Sequence, residues 1–121
     1  MPIPKTVEVT EVGPRDGLQA EPQFVATKNK IALINDLIGA GLPRIEFSSF
    51  VSPRAVPQLV DVVEVFEGID RSTNTVLAAL VPNAKGAVRA VDTGVDEIVV
   101  FLSASESHNK KNVNRSVDES L

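Results

Sequence analysis

Two stretches of the chain, "GLPRIEFSS" (Gly41–Ser49) and "GVDEIVVFLS" (Gly94–Ser103), share one plan. Each runs glycine, apolar residue, two-residue gap, an isoleucine-led apolar run, then serine. A glycine after a helical pattern marks a helix stop, and an apolar run bounded by turn residues reads as a strand. Each stretch is therefore one helix ending and one strand beginning. A repeat of that unit is the signature of alternating βα elements, which place their strands parallel in one sheet.

The rest of the chain fits the same plan. Thr6–Thr10 alternates and reads as a first strand, and Thr27 is placed to cap a helix running to about Ala40, with Ile31, Ile34, Leu37 and Ile38 as its apolar stripe. The second strand, Arg44 to about Ser48, leads through "SSFVSPRAVP" to a second helix. That helix carries Leu59, Val60, Val63 and Phe66 on one side and closes at Gly68. "NTVLAALV" (Asn74–Val81) reads as a third strand buried on both faces. Asn83 caps a helix through Val91 that ends near Gly94, and Glu97–Leu102 is a fourth strand followed by a polar loop, "SASESHNKKNVNR". Strand starts near 6, 44, 74 and 97 match the roughly 31 residues per unit of an eight-unit barrel of about 250 residues. "SVDES" (Ser116–Ser120) is a capping box that opens a helix just as the sequence reaches Leu121. The expectation is an α/β fold: residues 1–121 as parallel βα units forming the N-terminal half of a TIM (β/α)8 barrel, truncated after the fourth strand. A small complete open α/β domain is the alternative.

Composition removes several function classes. The chain has 121 residues, a net charge of −4 and a pI near 4.9, which disfavours a nucleic-acid binder needing a basic face. No apolar run approaches twenty residues, so no membrane span is expected, and the N-terminus lacks the pattern of a signal or transit peptide. A cytoplasmic protein, or a chain given without its leader, is the expectation. There is no cysteine, hence no thiolate metal site or cysteine nucleophile within these residues, and the single histidine, His108, cannot make a histidine-pair metal site.

In parallel α/β folds, chemistry collects at the carboxyl ends of the strands. Those ends carry Arg15-Asp16 between Gly13-Pro14 and Gly17, then Glu46 with Ser48-Ser49, then Asn83, then Ser103, Ser105 and Glu106. Asp16 can bind a hard divalent cation through oxygen. Arg15 can stabilise a developing enolate oxygen, and Glu46 can hold Arg15 or relay a proton. On pattern alone a salt-bridged surface turn is the favoured reading of Arg15-Asp16. Lys110-Lys111 reads as a solvated pair, with contact to a nucleotide phosphate as the functional alternative. "GPRDG" is neither a dinucleotide fingerprint nor a P-loop.

"VEVTEVGPRDGLQAE", "IEFSSFVSPRAVPQ" and "SASESHNKKNVNRSVDES" together resemble the 3-hydroxy-3-methylglutaryl-CoA lyase family, metal-dependent TIM barrels of the pyruvate-carboxylase/lyase type. The resemblance covers essentially the whole chain, in order. It implies metal-assisted retro-Claisen cleavage of an acyl-CoA substrate to acetyl-CoA and acetoacetate, with Mg2+ or Mn2+ as cofactor. It makes Asp16 a metal ligand, Arg15 the group that contacts the substrate carbonyl, Glu46 an active-site glutamate, and Gln19 and Ser49 substrate neighbours. The family's metal-binding histidines, asparagine ligand and catalytic cysteine fall beyond residue 121. The isolated chain is accordingly expected to be inactive and to pair edge to edge, and the full-length enzyme to be a homodimer or larger. Phe47, beside Glu46, stands where some relatives carry a smaller polar residue, which leaves fine substrate specificity open. A condensing synthase of the same barrel group is the runner-up, and a non-catalytic α/β binding or signalling module is the alternative outside enzymes.

Overall fold

The computed structural model describes residues 2–121. Four strands, β1 (Thr10–Glu11), β2 (Arg44–Ser49), β3 (Val76–Leu80) and β4 (Glu97–Val99), form one sheet in sequence order, every neighbouring pair parallel. Helices α1 (Thr27–Gly39), α2 (Val62–Gly68) and α3 (Ala84–Thr93) make the crossovers. The repeat seen in the sequence has a backbone cause. Gly41 (φ 88°) and Gly94 (φ 92°) both adopt the left-handed conformation that ends a helix at little cost, and each turns the chain into the following strand.

One face of the sheet packs against the helices. Ile45, Phe47, Leu77 and Ala79 from the strands, with Val81 just beyond β3, meet Ile34 and Ile38 of α1, Val65 and Phe66 of α2, and Ala90 of α3 in a single core. Phe47 and Phe66 lie with ring centroids 5.4 Å apart, within the range where aromatic pairs attract. The opposite face carries Glu46, Ser49, Leu80 and Val99 toward an open cleft. Low on that face, Arg44 of β2 and Glu97 of β4 form an ion pair across β3.

β2 does not alternate regularly. Glu46 pairs with Ala78 and Ser48 with Ala79, so Phe47 is one residue more than β3 can match, a β-bulge. Before the bulge Glu46 faces the cleft; after it Ser49, rather than Ser48, does so. The bulge brings two residues three apart in sequence onto one face, which a regular strand cannot do.

Several local expectations are corrected. The first strand is confined to Thr10–Glu11, and Val7 and Val9 are exposed, because β2 offers Arg44 and Ile45 as partners to these two residues alone. Thr27 does not cap α1: Ala26 holds the cap position, and the Thr27 hydroxyl donates to Asp61 Oδ2 at 2.7 Å. The second helix is split into a 3-10 turn, Pro57–Leu59, and α2, which rotates Val60 out to 47% exposure. β4 stops at Val99, leaving Val100–Leu102 outside the sheet.

The expected polar loop contains a helix, α4 (Glu106–Val113), so His108 sits on a helix and not in a loop. Ser105 caps α4 and Asn114 ends it in the left-handed region, while Ser116 and Glu119 close the anticipated capping box on α5 (Val117–Ser120). Asn83 caps α3 as read, accepting from the Gly86 amide at 2.8 Å.

Candidate active site

The β1–α1 connection begins with a single π-helical turn, Gly13–Gly17. Proline early in a turn loses no hydrogen bond that the turn would otherwise make, and Pro14 is buried under it. The amides of Arg15 and Asp16 both donate to the Val12 carbonyl, at 3.1 and 2.7 Å. The Gly13 amide donates to Glu11 Oε1 at 2.8 Å. This fixed turn projects two opposite charges from adjacent positions. Arg15 swings toward β2, where its Nε donates to Glu46 Oε1 at 2.7 Å, while a terminal nitrogen reaches Asp16 Oδ1 at 3.1 Å.

The two pairs differ in their surroundings. The Arg15 and Glu46 side chains are 19% and 9% exposed, and that of Asp16 is 68% exposed. The Arg15–Glu46 contact is a short charge-assisted bond out of bulk water; the Arg15–Asp16 contact is a solvated one, and such pairs contribute little. The turn is thus held from the sheet side by Glu46, and Asp16 remains accessible at the rim.

Arg15, Gln19, Glu46 and Ser49 line one cleft of about 630 Å³, together with Val51 and Val56 from the β2–α2 loop. That volume suits a small organic ligand. The Ser49 hydroxyl leans on the Leu80 carbonyl at 3.2 Å. Four of the five residues to which the resemblance gives a role therefore meet in one cleft, Asp16 sits beside it through Arg15, and Ser48, Asn83, Ser103, Ser105 and Glu106 do not line it. Lys111 and Asn112 of α4 close the far side, so Lys111 belongs to the cleft wall and not to a purely solvated pair. Sequence reasoning passed over Asn112, whose place depends on a helix that the polar segment hid.

Phe47 does not reach the cleft. It is 1% exposed and packs on the helix side, so its ring does not touch a molecule in the cleft. As for a divalent metal, the described residues hold no group of three carboxylate, histidine or cysteine side chains able to bind one. Asp16 fits as a single hard oxygen donor, exposed and adjacent to the cleft, and further donors are required for a site.

A parallel βα sheet whose charged groups gather at the carboxyl rim beside a ligand-sized cleft is the arrangement of barrel enzymes. The chain belongs to the HMGL-like family, whose model matches residues 6–121. It is 53% identical over its 121 residues to a hydroxymethylglutaryl-CoA lyase of Bacillus subtilis, covering 100% of this chain and 40% of that protein. It is 49% identical, with the same coverage, to a 3-hydroxy-3-isohexenylglutaryl-CoA/hydroxymethylglutaryl-CoA lyase of Pseudomonas aeruginosa.

Among solved structures, the Bacillus subtilis HMG-CoA lyase superposes with a TM-score of 0.93 at 52% identity, over 99% of this chain and 40% of that one. An HMG-CoA lyase of Acinetobacter baumannii in complex with coenzyme A and 3-methylmalate gives 0.91 at 50% identity, over 93% of this chain and 37% of that one. The chain thus spans about 40% of the length of these relatives, and its four parallel strands are the N-terminal part of their TIM barrels.

Proposed function

We propose that this chain supplies the N-terminal βα units of a carbon–carbon lyase that cleaves 3-hydroxy-3-methylglutaryl-CoA to acetyl-CoA and acetoacetate. The observation that carries the reading is the Arg15–Glu46 pair, aimed into a cleft shared with Gln19 and Ser49, in a chain about half identical to such lyases throughout its length. In the reaction the hydroxyl proton leaves, the bond between the hydroxyl-bearing carbon and the thioester α-carbon breaks, and its electron pair becomes the enolate of acetyl-CoA, which is then protonated.

Arg15 is the group suited to that enolate. Glu46 takes Nε and Asp16 one terminal N–H, and the guanidinium has further donors for a substrate oxygen. A cation fixed before the reaction stabilises charge that develops only as the bond breaks, so it acts on the transition state more than on the bound substrate. Glu46 sets the plane of the guanidinium, and Gln19 and Ser49 offer hydrogen bonds to the polar acyl portion. A divalent metal, Mg2+ or Mn2+, when bound, supplies polarisation of the substrate's hydroxyl and carboxylate oxygens, with Asp16 as one of its ligands. The remaining metal ligands and the base belong to parts of the barrel outside these four units. An assembly of two or more subunits and a cytoplasmic location form part of the same reading.

Two measurements test it. Assayed with acyl-CoA esters, the complete protein should release acetoacetate from the hydroxymethylglutaryl ester; no release would end the lyase reading. Asp16→Asn should weaken Mn2+ binding, followed by the paramagnetic signal of free Mn2+, along with activity. Unchanged Mn2+ affinity would remove Asp16 from the metal site.

A further inference from the structure

Behind the cleft wall lies a charged cluster that the proposed chemistry does not use. Lys30 of α1 is 3% exposed and Asp61, just before α2, is 8% exposed. Lys30 Nζ donates to Asp61 Oδ1 at 2.7 Å and to the Gln58 carbonyl at 2.5 Å, and it lies 4.2 Å from the centroid of the Phe24 ring. The Thr27 hydroxyl donates to the other oxygen of Asp61 at 2.7 Å. The Gln58 side-chain amide donates to the Glu21 carbonyl at 3.0 Å. An ammonium and a carboxylate taken out of water are costly unless each is fully bonded, and here each has at least two partners.

The cluster spans both loops that wall the cleft. Glu21 lies two residues beyond Gln19, and Gln58 two residues beyond Val56; Gln19 and Val56 both line the cleft. The path Asp61–Lys30–Gln58–Glu21 therefore ties the β2–α2 loop to the β1–α1 loop and anchors both to α1. Arg15 does not depend on it, because Glu46 holds that residue directly from the sheet.

We infer that Lys30, with Asp61 and Gln58, is a positioning clamp that sets the separation of the two cleft-wall loops, and so governs substrate binding apart from the bond-breaking step. The kinetic part of this inference rests on the lyase reading; the structural part does not.

The test compares the parent protein with Gln58→Ala and with Lys30→Met/Asp61→Leu, which replaces the buried ion pair by an apolar one of similar bulk, a change that folded cores often accept. Amide hydrogen exchange should quicken by roughly fivefold in segments 20–25 and 51–58 and stay unchanged in β3, the size expected from losing about one hydrogen bond. KM for the hydroxymethylglutaryl ester should rise by a similar factor with kcat within about twofold. Unaltered exchange in both loops for Gln58→Ala overturns the clamp even if the double variant fails to fold. Faster exchange with unchanged KM overturns its role in binding. If the parent protein does not cleave the ester, the lyase reading fails, and the exchange data alone decide whether the loops are clamped.

Discussion

Replacing Glu46 by glutamine keeps the side chain's shape and one acceptor oxygen while removing its charge. In the folded protein Glu46 Oε1 meets Arg15 Nε at 2.7 Å with both side chains largely out of water. A hydrogen bond to a charged group contributes about 1.5–3 kcal/mol and a neutral one about 0.5–1.5 kcal/mol. Loss of a buried pair's partner costs about 3–5 kcal/mol. The glutamine lies at the low end, because its carbonyl still accepts from Nε and because Arg15, about one-fifth exposed, retains Asp16. The expected loss of stability is about 1.5 kcal/mol.

Urea unfolding followed by circular dichroism reads this directly. With a slope of about 1–3 kcal/mol per molar urea for a small protein, the midpoint should fall by about 0.5–1.5 M at unchanged slope. In the active enzyme the same variant should lower kcat, because a less firmly held guanidinium stabilises the enolate less well. A midpoint equal to the parent's would show that the pair contributes nothing net, and the argument that Glu46 fixes Arg15 would fall with it.

Other outcomes follow from the same geometry. Arg15→Lys keeps the charge but loses the planar fork that bonds Glu46 and Asp16 together, so kcat should fall far more than substrate affinity; a raised KM with normal kcat would make Arg15 a simple binding group. Phe47→Ala should cost about 3–5 kcal/mol of stability without altering the preference among acyl-CoA esters relative to one another, and a changed preference would show that the ring reaches substrate after all. Bonds from the Ser116 amide to Glu119 hold the Glu119 carboxyl below the ordinary glutamate range. A lowered folded-state pKa means that the capping box on α5 is fully present above the unfolded value, about 4.3, and is lost as pH falls through the lower folded value. An NMR titration of the Ser116 amide showing no acid-induced change there would refute the box.

The fold was legible where composition and geometry agree. β3 is apolar throughout because it runs between β2 and β4 with one face packed on the helices, and Asn83 and the two helix-stopping glycines announce themselves by residue type. Arg15, Glu46 and Ser49 were legible because strand ends in parallel sheets face one rim, whereas Gln19 came only through the family resemblance. What escaped the sequence depends on contacts distant along the chain. Thr27 looks like a cap, but its hydroxyl is used by Asp61, thirty-four residues later. α4 has no apolar stripe to show a period; its organiser is Asn109, buried and bonded to Ser103, Arg115, Ser116 and Ser120. Lys30 emerges only from the folded structure, since nothing local in the sequence signals that its ammonium is buried.

The extra residue at Phe47 makes β2 a strand with two phases. Up to Glu46, even-numbered positions lie on the cleft side of the sheet; at Ser49 an odd-numbered one does. Pulling the strand straight with all its residues kept would turn Ser49 toward the helices and bring the β2–α2 loop in half a pleat out of step. Deleting Phe47 would leave Ser49 on the cleft face, because Ser48 and Ser49 already pair with Ala79 and Leu80, but would put Ser48 where the ring packs beside Phe66. The extra residue thus lets one short strand supply both a core ring and a cleft hydroxyl.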